Sequence, residues 1–190
     1  MATTNSSANV TTGKPSVSGA IYYAEVGTTL PTDAVSTISS SFTPLGYMSD
    51  DGLTNTNAPD SDTIKAWGGD TVYTYQKEKS DEFQFTLIEA LRESVLKFVY
   101  GANNVTSATT TAPLTVKANS TEMEYQAVVI DMILNGNTPK RICIPKAKIS
   151  DLGDITYSDE DAVGYEVTLS CAPDDEGNTH YEYIGTKTKA

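Results

Sequence analysis

Residues 162–171, AVGYEVTLSC, alternate apolar and polar more cleanly than any other stretch of the chain. Val163, Tyr165, Val167, Leu169 and Cys171 fall on one side of an extended backbone, with Gly164, Glu166, Thr168 and Ser170 on the other. Successive strand side chains point to opposite faces, so this segment fits a half-buried strand and no amphipathic helix. Glu82 to Leu87 repeats the pattern, setting Phe83, Phe85 and Leu87 against Glu82, Gln84 and Thr86, and Thr71 to Lys77 puts Tyr73 and Tyr75 on one face. The four residues Glu78 to Asp81 between them predict a hairpin turn. Gly19 to Ala24, Phe42 to Met48, Leu114 to Ala118 and Arg141 to Ile149 predict further strands, with Pro145 placing the last at an edge or a bulge. Glu124 to Leu134 is apolar on both faces, which predicts a central strand.

One helix interrupts the strands. Thr86-Leu-Ile-Glu89 has capping-box spacing, Leu87, Leu91, Val95 and Phe98 form one stripe, and Gly101 is a C-terminal stop, so a helix is expected over about 87–100. Asp33 is expected to cap a brief turn in the polar connection 32–41. Together these elements predict a mainly β chain, a β-sandwich or partly closed barrel with one flanking α-helix. Residues 1–16 hold a Thr/Ser/Asn run poor in core-forming residues and read as a flexible N-terminal arm, with a single domain over 17–190 that begins to fold near Val17.

The segment TNTNAPDSDTIKAWGGD, Thr54 to Asp70, has neither period and holds the only tryptophan. It is expected to form a long loop at about 50–70. Such loops are uncommon in compact domains and usually functional. Ile64, Trp67 and the Gly68-Gly69 hinge are therefore candidate inter-subunit residues, with a partner covering the apolar groups.

Charge and chemistry narrow the function. The formal net charge is −12, distributed as −5, +1 and −8 over residues 1–64, 65–149 and 150–190. Tight nucleic-acid binding needs Lys and Arg against phosphates, so the balance fits solubility or a surface that repels a polyanion. Cys143 and Cys171 show no metal spacing and read as small core residues of a reduced compartment. No apolar run approaches a membrane span, and the expectation is a chain folded in cytosol without membrane insertion. The four N-x-Ser/Thr sequons, at Asn5, Asn9, Asn104 and Asn119, are expected by chance in so Thr-rich a chain. His180, the only histidine, has no G-x-S-x-G serine to serve. The acidic clusters 159–161 and 174–178 lack the alternating oxygen spacing of an EF-hand loop and read as solvated turns, and Gly68-Gly69-Asp70 lacks phosphate-loop spacing. No catalytic residues, metal ligands or cofactors are assigned.

Four blocks recur in an informative order: GAIYYAEVGTTLPTDA at 19–34, LGYMSDDG at 45–52, IKAWGGD at 64–70, and IPKAK at 144–148 followed by GDI at 153–155. Over most of the chain they resemble the major tail protein, or tail tube protein, of bacteriophages with long, non-contractile tails. The resemblance implies a β-sandwich flanked by a helix and hexameric rings. The rings would stack into a tube around a tape-measure protein, through which viral DNA passes without specific binding. It implies a place in the virion tail, assembly in the host cytoplasm, and tail-terminator and tail-tip proteins as partners. Residues 50–70 resemble the family's inter-subunit or inter-ring loop, and the N-terminal arm resembles segments that order on polymerisation. In such a ring the polar faces of the strands at 82–87 and 162–171 put Glu82, Gln84, Glu166 and Thr168 in candidate lumen-facing positions. A capsid-decoration or adhesion β-sandwich is the alternative, and a carbohydrate hydrolase working through two carboxylates is a third class.

Overall fold

The computed structural model describes residues 5–16, 20–135 and 137–185. Among these, the strands are β1 (Gly13–Pro15), β2 (Ile21–Glu25), β3 (Thr43–Pro44), β4 (Met48–Lys65), β5 (Thr71–Leu87), β6 (Val105–Thr106), β7 (Thr115–Val116), β8 (Gln126–Leu134), β9 (Thr138–Leu152), β10 (Tyr165–Cys171) and β11 (Tyr181–Ile184). The single α-helix among the described residues is α1 (Glu93–Tyr100). An antiparallel sheet runs β3-β2-β8-β9-β10-β5-β4, with β1 added beside β8 and β11 beside β9, while β6 and β7 pair separately. The chain is mainly β, its sheets do not close into a barrel, and the arrangement is consistent with a β-sandwich carrying one helix.

Alternation decides which face is buried. Phe83, Phe85 and Leu87 of β5 and Tyr165, Val167 and Leu169 of β10 lie in one core with Ile21, Val128, Ile130, Ile142 and Ile144 and the helix residues Val95, Leu96, Phe98 and Val99. Each such side chain contributes about 2 kcal/mol by leaving water. β8 and β9 are covered on both faces, because Ala127, Val129 and Cys143 point the other way into a second cluster with Ala24 and Phe42, packed by Tyr181 and Tyr183 of β11. The central position expected for Glu124 to Leu134 follows from this double burial. Pro145 sits at a register shift, where Ala147 faces Gln126 and Ile144 faces Val128, and the bulge spares the ladder a missing donor.

Three expectations need correction. The helix starts at Glu93, not 87, because Thr86 and Leu87 belong to β5, opposite Glu166 and Tyr165. Glu89 is no capping-box partner: its carboxylate accepts the Tyr47 N–H at 2.8 Å and pairs with Arg92 at 2.7 Å. Gly46 makes room for it, since a Cβ there would lie 2.2 Å from the Glu89 carboxylate. Leu91, expected on the buried stripe, is exposed. Gly101 does stop the helix at a φ of 88°. Second, Glu78 to Asp81 is no turn, for β5 runs unbroken from Thr71 to Leu87. Third, the expected long loop at 50–70 is chiefly strand: β4 pairs with β5 from Met48 to Lys65.

At the N-terminal end, β1 pairs Gly13 to Pro15 with Leu134 to Met132, and Asn135 bonds back to Thr11. The expected fold start at Val17, the beginning of the strand at Gly19, and residues 1–4 of the expected arm lie outside the described residues. Asp33 accepts the Val35 and Ser36 amides without starting a helix. That turn is tied down by Arg141, which is buried, forks onto Asp131 at 2.6 and 2.9 Å, and donates to the Asp33 carbonyl at 3.0 Å.

Removing the anion from this pair strands a buried guanidinium. Asp131→Ala should lower unfolding free energy by about 3 kcal/mol, measured as a fall in urea midpoint at unchanged slope.

Candidate assembly surfaces

The β4–β5 hairpin outruns the sheet that carries it. Phe85 and Phe83 are core residues paired with Leu53 and Asn55, yet every residue from Thr54 to Ser80 is exposed. From the Asn57–Asp81 pair to the tip is about 30 Å of two-stranded ribbon at strand rise. The tip closes through Ala66 N–H to the Asp70 carbonyl at 2.8 Å and Gly69 N–H to the Ala66 carbonyl at 3.0 Å. Gly68 and Gly69 take φ of 117° and 98°, backbone that L side chains rarely adopt, so this turn needs glycine.

Near its tip the ribbon exposes a patch of large apolar side chains. Trp67 is wholly exposed at the tip and Ile64 is 53% exposed, so neither belongs to the subunit core. Ile64 faces Tyr73 across the pair, and Tyr73 stacks on Tyr75 with centroids 6.2 Å apart, which gathers an aliphatic and two aromatic groups on one face. The opposite face carries Thr63, Thr74, Ser61 and Gln76. An isolated two-stranded hairpin is marginal in water, and among the described residues β4 also leaves one long edge unpaired at the end of the sheet order.

At its base the ribbon is pinned by a polar cluster that sequence reading missed. Asp81, 3% exposed, accepts hydrogen bonds from Thr179 Oγ1 and from Asn55 Nδ2 at 2.9 Å, and meets His180 Nδ1 at 2.5 Å. His180 also stands edge-on to Phe83, centroids 5.2 Å apart. Burial pushes the Asp81 carboxyl pKa up, but the bonds from Thr179, Asn55 and His180 outweigh it and hold the group below its ordinary value. The four contributing residues lie on β4, β5 and the segment before β11, far apart in sequence. A lone buried acid in an alternating strand, opposite an Asn, was the only available signal.

The four candidate lumen residues share one sheet face. Glu82 pairs with Ser170, Gln84 with Thr168 and Thr86 with Glu166, and Gln84 Nε2 donates to Glu166 Oε1 at 2.5 Å. Asp151 of β9 adjoins Thr168, while Lys148 beside Ser170 is neutralised by Glu122 at 2.7 Å. The face is polar and net acidic, and the core lies directly behind it. Cys143 and Cys171 are free thiols, with burial pushing each to about 12. No helix among the described residues is long and apolar enough to cross a membrane.

A family model described as phage tail tube protein matches residues 2–190. The chain belongs to the phage tail tube protein family. It is thus a structural subunit of a virion tail, a family placement that favours a non-enzymatic role over the hydrolase reading and a tube subunit over a decoration or adhesion module. No curated protein matches the chain. Membership of that family implies self-assembly into a tube.

A carboxylate with a depressed folded-state pKa stabilises the fold above its unfolded pKa, and the gain is lost as pH falls through the folded value. Asp81→Asn should cost about 2 kcal/mol at neutral pH and flatten the loss of stability below about pH 4, read from denaturation midpoints across pH.

Proposed function

We propose that the subunit closes into rings, hexameric as the family resemblance implies, which stack into the tail tube and deliver viral DNA. The observation that carries this reading is the solvent-exposed hairpin ending in Trp67. An aromatic ribbon without a core is a liability in a monomer and an anchor in a polymer. Repeated contacts between unlike patches generate rings or filaments. Ile64 and Trp67 would be buried between subunits, with Gly68 and Gly69 shaping the tip. The edge of β4 offers backbone groups to a neighbour's strand.

The polar face of β5 and β10 would line the lumen. Glu82, Gln84, Glu166 and Thr168 present acid and amide to passing DNA, and an acidic wall releases no counterions, so it does not grip. The segment preceding β1, residues 1–12, would pack against a neighbouring subunit as the tube grows. The tape-measure protein would occupy the lumen during assembly in the host cytoplasm, with tail-terminator and tail-tip proteins capping the tube.

Trp67→Ala tests the reading. An interface tryptophan contributes about 2 kcal/mol or more, so tube growth should stop while circular dichroism and melting of the subunit stay unchanged. Unimpaired growth would remove Trp67 from the interface. Replacing Glu82 and Glu166 together by Lys should give tails of normal length whose genome release in vitro is slowed, since the wall would then attract phosphates. Normal release from well-formed tails would place these residues away from the lumen. Deleting residues 1–15 should preserve the folded core and reduce polymer yield, compared by melting temperature and sedimentation.

A further inference from the structure

We infer that the Trp67 tip of one subunit seats in the apolar cleft between the segment 88–92 and the loop 157–163 of a second copy of this chain in the next ring. The inference rests on the stacked-ring reading above and names the acceptor that reading leaves open.

The two surfaces lie at opposite ends of one strand. β5 carries the tip beyond Thr71 and ends at Leu87, and the chain enters the cleft at Ile88. The pairing register fixes the polarity of the whole sheet. Leu87 lies beside Tyr165, and Glu82 beside Ser170. Along β9, β10 covers Leu152 to Ala147 and β11 covers Cys143 to Lys140, so the ribbon points toward the Lys140 end and the cleft lies at the Leu152 end. Copies stacked head to tail therefore bring each tip to the next copy's cleft. A contact between two tips, or between two clefts, would close a pair and halt growth.

The chemistry also fits. The cleft, about 710 Å³ and open to solvent, is lined by Ile88, Leu91, Tyr157, Val163 and Tyr165. Leu91 is 93% and Tyr157 75% exposed, a large apolar outlay for a free subunit. Arg92 at the cleft, held by Glu89, offers a guanidinium of the kind that stacks on an indole. A second groove, lined by Tyr22, Val35, Ile38, Phe42, Met132 and Arg141, lies at the end toward which the ribbon points, so head-to-tail stacking does not bring it to the tip.

Trp67 is the only tryptophan and so a built-in reporter. Acrylamide quenching of the wild-type protein should be strong in dispersed subunits and fall several-fold in tubes. Leu91→Ser alters a solvent-exposed side chain, so melting should not change, yet tube growth should slow at least tenfold and Trp67 should regain quenching in any tubes that form. Val35→Ser, in the other groove, should change neither. As a second measurement, Ala66→Cys with Ala90→Cys should give intermolecular disulfide ladders on oxidation of tubes, absent from either single variant. The single variants, which keep Cys143 and Cys171, report any background from the native thiols. Trp67 protected in tubes but indifferent to Leu91→Ser, or sensitive to Val35→Ser instead, overturns the acceptor and leaves the stacking reading intact. Trp67 fully quenched in tubes overturns the acceptor and removes the tip from the interface altogether.

Discussion

A two-stranded ribbon has no third layer, and the whole architecture turns on that lack. Hydrogen bonds between β4 and β5 satisfy the backbone on the inner edges only, and the side chains beyond Asn55 and Asp81 meet water on both faces. Backbone ordering costs about 1–2 kcal/mol per residue, and an isolated pair of strands offsets little of it. What the ribbon lacks, other molecules of the same chain can supply.

The remainder of the subunit gives the ribbon a fixed base. Phe83 and Phe85 root β5 in the core, directly behind the polar face that Glu82 and Gln84 present. Asp81 marks the boundary, buried where the next residue outward is exposed, and its bonds to Asn55, Thr179 and His180 join both ribbon strands to the C-terminal segment. A hinge at that point would let the tip wander over a wide arc. The buried carboxylate narrows that arc.

Strand periodicity made most of this fold legible. Alternation in β10 and the inner half of β5, double-sided apolarity in β8 and the bulge at Pro145 follow from period and proline chemistry alone. The outer ribbon was hidden because both its faces are solvated, leaving no apolar-polar contrast to read between Thr54 and Ser80. A central strand is recognised by what it buries, and this one buries nothing in the subunit. The same reasoning explains the helix start: Leu87 and Leu91 keep helical spacing by accident, one closing a strand and the other facing solvent. Trp67 stood out by its rarity, and Glu82, Gln84, Glu166 and Thr168 by alternation. The Asp81 cluster and the cleft between 88–92 and 157–163 depend on contacts between distant segments, which a single sequence does not display.

Hydrogen exchange across residues 56–80 tests the central claim most directly. If the ribbon is completed by neighbouring subunits, its amides exchange rapidly in dispersed subunits, while β8 and β9 are protected, and become strongly protected in assembled tubes. Protection of 56–80 that is already strong in the subunit, or that does not change on assembly, would contradict the account.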